Sequence, residues 1–241
     1  MIINTYKPIG ITSYDVIRIL KFILHHPKLY SDISTWKDII DNYQGGKIGH
    51  AGTLDPFAEG VLVVCTDQDT KKISDIQSQS KEYIANINLG SISNTYDVDG
   101  DITPVRADPC VRPTKKIIQN TLNSHFTGEI LQTPPAFSAK KINGKRAYDL
   151  ARAGKSVKLD RKKVVVYNIG VNKYDYPDLE LIINCGSGTY IRSIAHDLGQ
   201  LLHVGAYCHS LIRTKIGEYA IKNSLHLPEN EIKYILNKKN A

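Results

Sequence analysis

Segments with strand periodicity and segments with helix periodicity alternate irregularly along this chain, and this arrangement constrains the fold most. Between Tyr83 and Leu89, apolar and polar residues alternate as in a half-buried β-strand. Between Thr189 and Leu202, apolar residues recur every three or four positions, as in an amphipathic helix. Because the order is irregular, we predict an α+β fold built on a mixed, mostly antiparallel sheet with helices.

Apolar runs and turn residues predict the remaining elements. We expect helices at Val16–Leu24, Ser34–Ile40, Lys71–Ser78, 114–123, Tyr148–Ala153 and Glu229–Asn237. We expect further strands at 2–5, Val61–Cys65, 163–170, 179–185 and Ala206–Ile212. The residues from Lys47 to Gly60 are rich in glycine and are predicted to form a loop.

Positive charge is concentrated in one segment. The 241 residues include 31 Lys and Arg and 24 Asp and Glu, which gives a net charge of +7. Between Ser138 and Lys163, ten cations are opposed only by Asp149 and Asp160, so this segment alone carries +8. Such a stretch favours binding to the phosphates of a nucleic acid. A solvated charged surface is the alternative interpretation.

Several other classes of protein find little support in the sequence. The four cysteines are scattered and form no C-x-x-C pair, which is typical of a reduced, cytosolic chain. We interpret His203, Cys208 and His209 as structural, because their spacing fits no common zinc pattern. Arg18 and Lys21 interrupt the first apolar stretch, so it resembles neither a signal peptide nor a membrane span. Phosphate-loop, dinucleotide-binding, zinc-protease and serine-hydrolase motifs are absent from the sequence.

The loop GHAGTLDP, residues 49–56, is the strongest candidate for chemistry. Its glycines allow the backbone to approach a ligand closely, and His50 and Asp55 add a ring and a carboxylate. Pro56 stiffens the exit of the loop and favours an extended conformation at Asp55. A carboxylate held in this way before a buried strand suits a nucleophile or a base. A simple turn or cap role for Asp55 is the alternative.

Two further motifs contain polar residues that could serve a site. The segment NTYDVDGD, residues 94–101, is acidic but lacks the pattern of a calcium loop, so we predict a polar turn. In CGSGTYIR, residues 185–192, a Gly-Ser-Gly turn leads into a helix that carries Arg192. Arg192 could pair with a carboxylate and orient it. From its position alone, a surface arginine is the better interpretation.

Seven motifs, in order along the chain, resemble those of the tRNA pseudouridine-55 synthases of the bacterial TruB type. They are KPIGITS (7–13), GHAGTLDPFAEGVL (49–62), KEYIANINLG (81–90), NTYDVDG (94–100), QTPPAFSAKKINGKRAYDLARAG (132–154), CGSGTYIRSIAHDLG (185–199) and LIRTKIG (211–217). The resemblance implies a pseudouridine synthase catalytic domain over residues 1–220, with an inserted thumb-like element at about 126–154. It also implies a short helical tail at 221–241, without a separate C-terminal RNA-binding domain.

The resemblance implies a role for each matching residue. Asp55 matches the catalytic carboxylate, and Arg192 matches the arginine that pairs with it. Tyr83 matches the tyrosine that stacks on the target base, and His50 matches the histidine that fills the stack when bases are flipped out. The other matching site residues are Asp97, an acid near the site, Leu211, an apolar pocket residue, and Lys7 and Pro8, on a loop beside the site. The thumb cations expected to contact RNA are Lys140, Lys141, Lys145 and Arg146.

The implied reaction is the isomerisation of uridine 55 in the T-loop of tRNA, by base flipping and by cleavage and re-formation of the glycosidic bond. We expect no metal or organic cofactor, because the isomerisation is redox-neutral. We expect a cytoplasmic monomer that binds the T-arm of tRNA and no membrane. Two alternatives stay open: an RNA-folding helper in which isomerisation is secondary or absent, and an isomerase that acts on another RNA, such as ribosomal RNA.

Overall fold

The structure is a computed structural model that describes residues 1–30, 34–105, 112–137, 141–142, 145–146 and 159–240. The chain divides into two compact units. The first unit comprises Met1–Glu82 and Ile212–Ala241, and the second comprises Tyr83–Leu211. None of the helices in the described ranges has the length and apolar character needed to cross a membrane.

Strands and helices are interleaved irregularly along the described residues, as predicted. The strands are β1 (Ile2–Lys7), β2 (Ile48–His50), β3 (Glu59–Thr66), β4 (Lys81–Leu89), β5 (Ser91–Ser93), β6 (Ile102–Pro104), β7 (Gly128–Gln132), β8 (Lys141–Ile142), β9 (Lys145–Arg146), β10 (Lys162–Asp175), β11 (Asp178–Cys185), β12 (Ala206–Ile216), β13 (Tyr219–Ala220) and β14 (Leu225–His226). The helices are α1 (Ser13–His25), α2 (Ser34–Asn42), α3 (Ile73–Ser78), α4 (Lys115–His125), α5 (Ile191–Leu201) and α6 (Glu229–Asn240). Short 3-10 turns lie at Pro27–Leu29, Asp67–Lys72 and Ile221–Asn223.

The first unit is built on a mixed sheet with the strand order β14-β1-β3-β12. β1 runs antiparallel to β3, and the last pair in this ladder is Lys7 with Gly60. β12 runs parallel to β3, and Arg213 pairs with the same Gly60. The register therefore places Lys7, Gly60 and Arg213 side by side across three neighbouring strands.

Helix α1 covers one face of this sheet and supplies much of the first unit's core. Thr12 caps its N-terminus and forms a capping box with Asp15. Each fully buried Ile or Leu side chain in such a face contributes about 1.5–3 kcal/mol through its removal from water. The buried members of this core are Ile3, Ile11, Val16, Ile17, Ile19, Leu20, Ile23, Tyr30, Trp36, Leu62, Val64, Leu227 and Ile235. Residues beyond 221 therefore pack into the same core as β1 and α1.

The second unit contains the strand order β4-β11-β10-β7. β10 runs antiparallel to both β11 and β7, while β5 and β6 form a separate antiparallel pair. Helix α4 is tied to β10 by Gln119, whose side chain bonds to Ile169 O and Val171 N. The mixed, mostly antiparallel sheets with helices confirm the predicted α+β fold.

The structure corrects several local predictions and leaves one untested. Residues 47–60 are not all loop, because Ile48–His50 pairs with β3 and gains ladder hydrogen bonds that outweigh the cost of Gly49 in a strand. Helix α5 begins at Ile191 rather than Thr189, because Tyr190 is still extended. β12 continues past Ile212 to Ile216 by pairing with β13. The helix predicted at Tyr148–Ala153 lies outside the described residues.

Candidate active site

The candidate catalytic loop, residues 51–58, connects β2 to β3 in the first unit. Leu54 and Phe57 are buried in it, whereas Asp55 is partly exposed. Gly52 has a φ of 106°, a conformation that favours glycine, and Ala58 N donates to Asp55 O at 3.1 Å. Two apolar side chains therefore anchor the loop and leave the carboxylate between them accessible.

The first residue of α1 and the residues just before it hold the loop from one side. Ser13 is buried, and its Oγ donates to Leu54 O at 3.0 Å and accepts from Leu54 N at 2.8 Å. A hydroxyl group can donate and accept at once, so one side chain satisfies both backbone groups. Gly10 N donates to Pro56 O at 2.8 Å. The residues on either side of Asp55 are thus tied to the same short segment, residues 10–13.

Arg213 on β12 ties the start of the loop to β3. Its Nε donates to Val61 O at 2.8 Å, its Nη2 to Gly52 O at 3.1 Å and its Nη1 to Thr53 O at 3.4 Å. The residue is only 2% exposed, so these bonds satisfy a guanidinium group that has little contact with water. The planar, forked geometry of arginine suits three acceptors in different directions.

Lys7 lies at the end of β1 and is fully buried. Its Nζ donates to Ile11 O at 2.7 Å, to Pro8 O at 2.8 Å and to Pro56 O at 3.3 Å. Burial lowers the pKa of the Lys7 ammonium from 10.5 to about 7, and the negative charge of Asp55 opposes this shift. Lys7 and Pro8 therefore lie at the loop that carries Asp55, and the Lys7 ammonium interacts electrostatically with that carboxylate.

His50 lies on β2, just before the loop, and is half-buried. Its Nδ1 is buried, with no hydrogen-bond partner among the residues that the structure describes. Burial lowers the pKa of His50 below its usual 6.5, and the charge of Arg213 adds to this shift. The lowered pKa favours the neutral form of the imidazole. A neutral ring is the form that can leave water and stack on a base at the lowest cost.

Asp97 and Arg192 form a buried ion pair in the second unit. Arg192 Nη1 lies 2.9 Å from Asp97 Oδ2, and both residues are 4% exposed. Arg192 also donates to Thr95 O at 3.1 Å and to Phe137 O at 3.0 Å. The interpretation of Arg192 as a surface arginine is therefore wrong, because the fold buries it against a carboxylate that is distant in the sequence.

The turn between β5 and β6 positions Asp97. Thr95 Oγ1 donates to Asp97 Oδ1 at 2.5 Å, and Asp99 N donates to the same oxygen at 3.1 Å. Burial raises the pKa of the Asp97 carboxyl group, although the charge of Arg192 and these hydrogen bonds oppose the shift. The predicted polar turn at 94–101 is confirmed by the hairpin of β5 and β6.

The remaining predicted site residues are distributed over the second unit. Tyr83 on β4 and Leu211 on β12 are both buried, at 8% and 5% exposure. Lys141, Lys145 and Arg146 lie on the short antiparallel pair β8 and β9. Lys140 lies outside the described residues, as does much of the predicted thumb. Contacts between these cations and RNA stay a prediction.

Ser13 and Arg213 both hold the candidate loop, and neither was predicted as a site residue from the sequence. A signal for Arg213 was available, because it lies between Leu211 and Ile216 on a strand whose other inward positions are apolar. Arginine is rarely fully buried unless it is paired, so a cation at such a position indicates an internal set of acceptors. The only sequence signal for Ser13 was its position at the start of α1, where a serine usually indicates a helix cap.

Comparison with known proteins identifies the family. Residues 37–191 match a model described as the TruB family pseudouridylate synthase, N-terminal domain. This match covers more than half of the chain. The chain belongs to the TruB family of pseudouridylate synthases. The predicted family of RNA-modifying isomerases is thereby confirmed.

This TruB family protein is similar to curated relatives over most of its length. It is 42% identical over 228 residues to tRNA pseudouridine synthase B of Clostridium tetani (strain Massachusetts / E88), a match that covers 95% of this chain and 71% of the relative. It is 44% identical over 179 residues to tRNA pseudouridine synthase B of Bacteroides fragilis (strain YCH46), covering 74% of this chain and 76% of the relative.

A solved structure with a similar fold is an H/ACA RNP bound to a substrate RNA containing 2'-deoxyuridine. The TM-score is 0.62 and the identity 28%, and the match covers 99% of this TruB family protein. It covers only 55% of the solved chain, so this protein spans about half the length of that chain. The similarity extends over both compact units, which confirms the predicted pseudouridine synthase fold.

Proposed function

We propose that this protein is a tRNA pseudouridine synthase that isomerises uridine 55 in the T-loop, with Asp55 as its catalytic carboxylate. The observation that carries the proposal is the geometry of the Asp55 loop. The backbone carbonyl groups of Gly52, Thr53, Leu54 and Pro56 all accept hydrogen bonds from buried or backbone donors outside the loop. A partly exposed acid on a backbone fixed this firmly fits the positioning that catalysis demands.

The reaction rearranges the uridine without changing its composition. The N1–C1′ bond breaks, a C5–C1′ bond forms, the C5 hydrogen leaves as a proton, and N1 gains a proton. Asp55 would act at the step in which the glycosidic bond breaks and re-forms. The reaction needs no oxidant or reductant, and we propose that it proceeds without a metal or organic cofactor.

Access to the target uridine requires that the base leave its stack. Extrusion costs a few kcal/mol, and enzymes that act on bases offset this cost with contacts to the flipped base. We propose that the neutral ring of His50 fills the vacated position and that Tyr83 stacks on the uracil. Stacking on an aromatic side chain contributes about 1–3 kcal/mol per base. Asp97, Arg192 and Leu211 would support the site, with the buried Asp97–Arg192 pair as their rigid part.

Affinity for the T-arm of tRNA would come from the basic segment that begins near Ser138. Its net charge of +8 would neutralise phosphates and release counterions, so binding should weaken steeply as salt is added. Lys140, Lys141, Lys145 and Arg146 are the cations that we assign to this contact. The names of the curated relatives support tRNA as the substrate class. We further propose a cytoplasmic monomer that needs no membrane.

Release of the C5 hydrogen gives a direct assay. A tRNA transcript labelled with tritium at C5 of its uridines is incubated with wild-type protein or with Asp55→Asn, and tritium in the water is counted. The proposal predicts release by wild type alone, with similar affinity of both proteins for the transcript. Asparagine matches aspartate in size, so equal binding isolates the loss of the carboxylate.

The same assay separates the alternatives. Tight, salt-sensitive binding without tritium release by wild type would contradict catalysis and favour an RNA-folding role. Release from ribosomal RNA but not from tRNA would redirect the proposal to another substrate. Release by Asp55→Asn at the wild-type rate would show that another residue acts as the catalytic acid or base.

A further inference from the structure

Arg213 occupies an unusual position for a charged side chain. It lies on β12, pairs with Gly60 on β3 and is 2% exposed. A buried cation is costly unless hydrogen bonds compensate for its lost hydration. Its three described hydrogen bonds all run to backbone carbonyl oxygens, those of Gly52, Thr53 and Val61.

These acceptors lie on both sides of Asp55 in the sequence. Gly52 and Thr53 precede it at the entrance of the loop, and Val61 follows it within the buried part of β3. A single rigid guanidinium therefore ties the entrance of the loop to the strand that follows it. Its positive charge also lowers the pKa values of Lys7 and His50, which lie beside the same loop.

Gly60 allows this arrangement. Its φ is 109°, and a Cβ atom built there would lie 2.3 Å from Arg213 O and 2.9 Å from Arg213 N. Any other residue at this position would force the backbones of β3 and β12 apart. The close approach brings the Arg213 side chain beneath the loop, where its forked donors reach carbonyl oxygens in three directions.

We infer that Arg213 is a positioning residue for the isomerisation: it sets the place of the Asp55 carboxylate by tying the start of the loop to β3. The inference rests on the proposed function. Displacement of a reacting group by about 1 Å can cost roughly a hundredfold in rate, so loss of this clamp should act on the chemical step. Lysine cannot replace it fully, because a single ammonium cannot reach three divergent acceptors with the same geometry.

The test compares Arg213→Met, Arg213→Lys and a control, Leu227→Ala. Methionine removes the donors while filling similar space, and lysine restores the charge with fewer directed donors. Leu227 is buried in the core of the first unit, so its truncation lowers stability without touching the loop. For each folded variant, we would measure the affinity for tRNA transcript and the single-turnover rate of tritium release at saturating protein.

The inference predicts that Arg213→Met lowers the single-turnover rate by roughly a hundredfold while the tRNA affinity changes little. Arg213→Lys should lie between Met and wild type, and Leu227→Ala should keep the wild-type rate below its melting temperature. If the Met variant does not fold, the Lys variant and Gly60→Ala carry the same comparison.

Two results would overturn the inference. Wild-type rates in the Arg213 variants would show that the clamp does not position Asp55. Equal losses of rate in the Arg213 variants and Leu227→Ala, at matched stability, would show a structural role only. Absence of tritium release from wild type is a different outcome, because it contradicts the proposed function itself and removes the reaction that Arg213 would serve.

Discussion

Ser13→Ala isolates the contribution of one hydroxyl group to the candidate catalytic loop. The Ser13 Oγ exchanges two hydrogen bonds with Leu54, the residue immediately before Asp55. Alanine removes both bonds and leaves the rest of α1 unchanged. Thr12→Ala is the matched control, because Thr12 caps the same helix from the neighbouring position and its side chain bonds to Asp15 rather than to the loop.

The magnitude follows from the burial of Leu54, which is 4% exposed. When the Ser13 hydroxyl is removed, the N–H and the C=O of Leu54 both lose a hydrogen-bond partner in a place that water reaches poorly. Each unsatisfied buried group costs about 1–3 kcal/mol, so Ser13→Ala should lower the free energy of unfolding by roughly 2–6 kcal/mol. Thr12→Ala should cost about 1 kcal/mol, the usual value for a lost helix cap.

Urea unfolding gives the two free energies, and single-turnover tritium release gives the consequence for chemistry. Ser13→Ala should lower the rate by roughly ten- to a hundredfold, because the loop gains freedom at the residue next to Asp55. Thr12→Ala should keep the wild-type rate. If Ser13→Ala is no less stable than Thr12→Ala, or reacts as fast as wild type, then the exchange with Leu54 does not hold the loop.

Three further predictions concern stability. Between about pH 7 and 10.5, Lys7 is protonated in the unfolded chain but has released its proton in the folded chain. Over this range, the free energy of unfolding of wild type minus that of Lys7→Met should rise by about 1.4 kcal/mol per pH unit. A difference that does not change with pH in urea unfolding would contradict this. Asp97→Ala should cost about 3–5 kcal/mol, because it leaves the Arg192 charge buried without that partner; a loss below about 1 kcal/mol in the same assay would fit only an exposed pair. Gly60→Ala should lower the free energy of unfolding by at least about 2 kcal/mol more than Gly45→Ala. Both glycines have positive φ, but of these two only Gly60 lies against another backbone, that of Arg213. Equal melting temperatures of the two variants would contradict this close packing.

Elements with strong local periodicity could be predicted from the sequence. The alternation at Tyr83–Leu89 became β4, and the apolar spacing after Thr189 became α5, because the pattern of buried side chains follows directly from these periods. β2 could not be predicted, because three residues carry too little periodicity. It exists only through its pairing with β3.

In the candidate site, too, some residues could be predicted from the sequence and others could not. The loop around Asp55 could be found from its glycines and Asp-Pro pair, which are local signals. The residues that hold this loop could not be found in the sequence, because Ser13 lies 41 residues from Leu54 and Arg213 lies 152 residues from Val61. The Asp97–Arg192 pair spans 95 residues, so only the fold shows that these two charges are buried together.

Mapping of pseudouridine at single-nucleotide resolution tests the central claim most directly. Unmodified tRNA transcript is incubated with wild-type protein and, in parallel, with Asp55→Asn, and the position of every pseudouridine is determined. We expect one pseudouridine, at position 55 of the T-loop, from wild type and none from Asp55→Asn. Product at a different position, or product from both proteins, would contradict it.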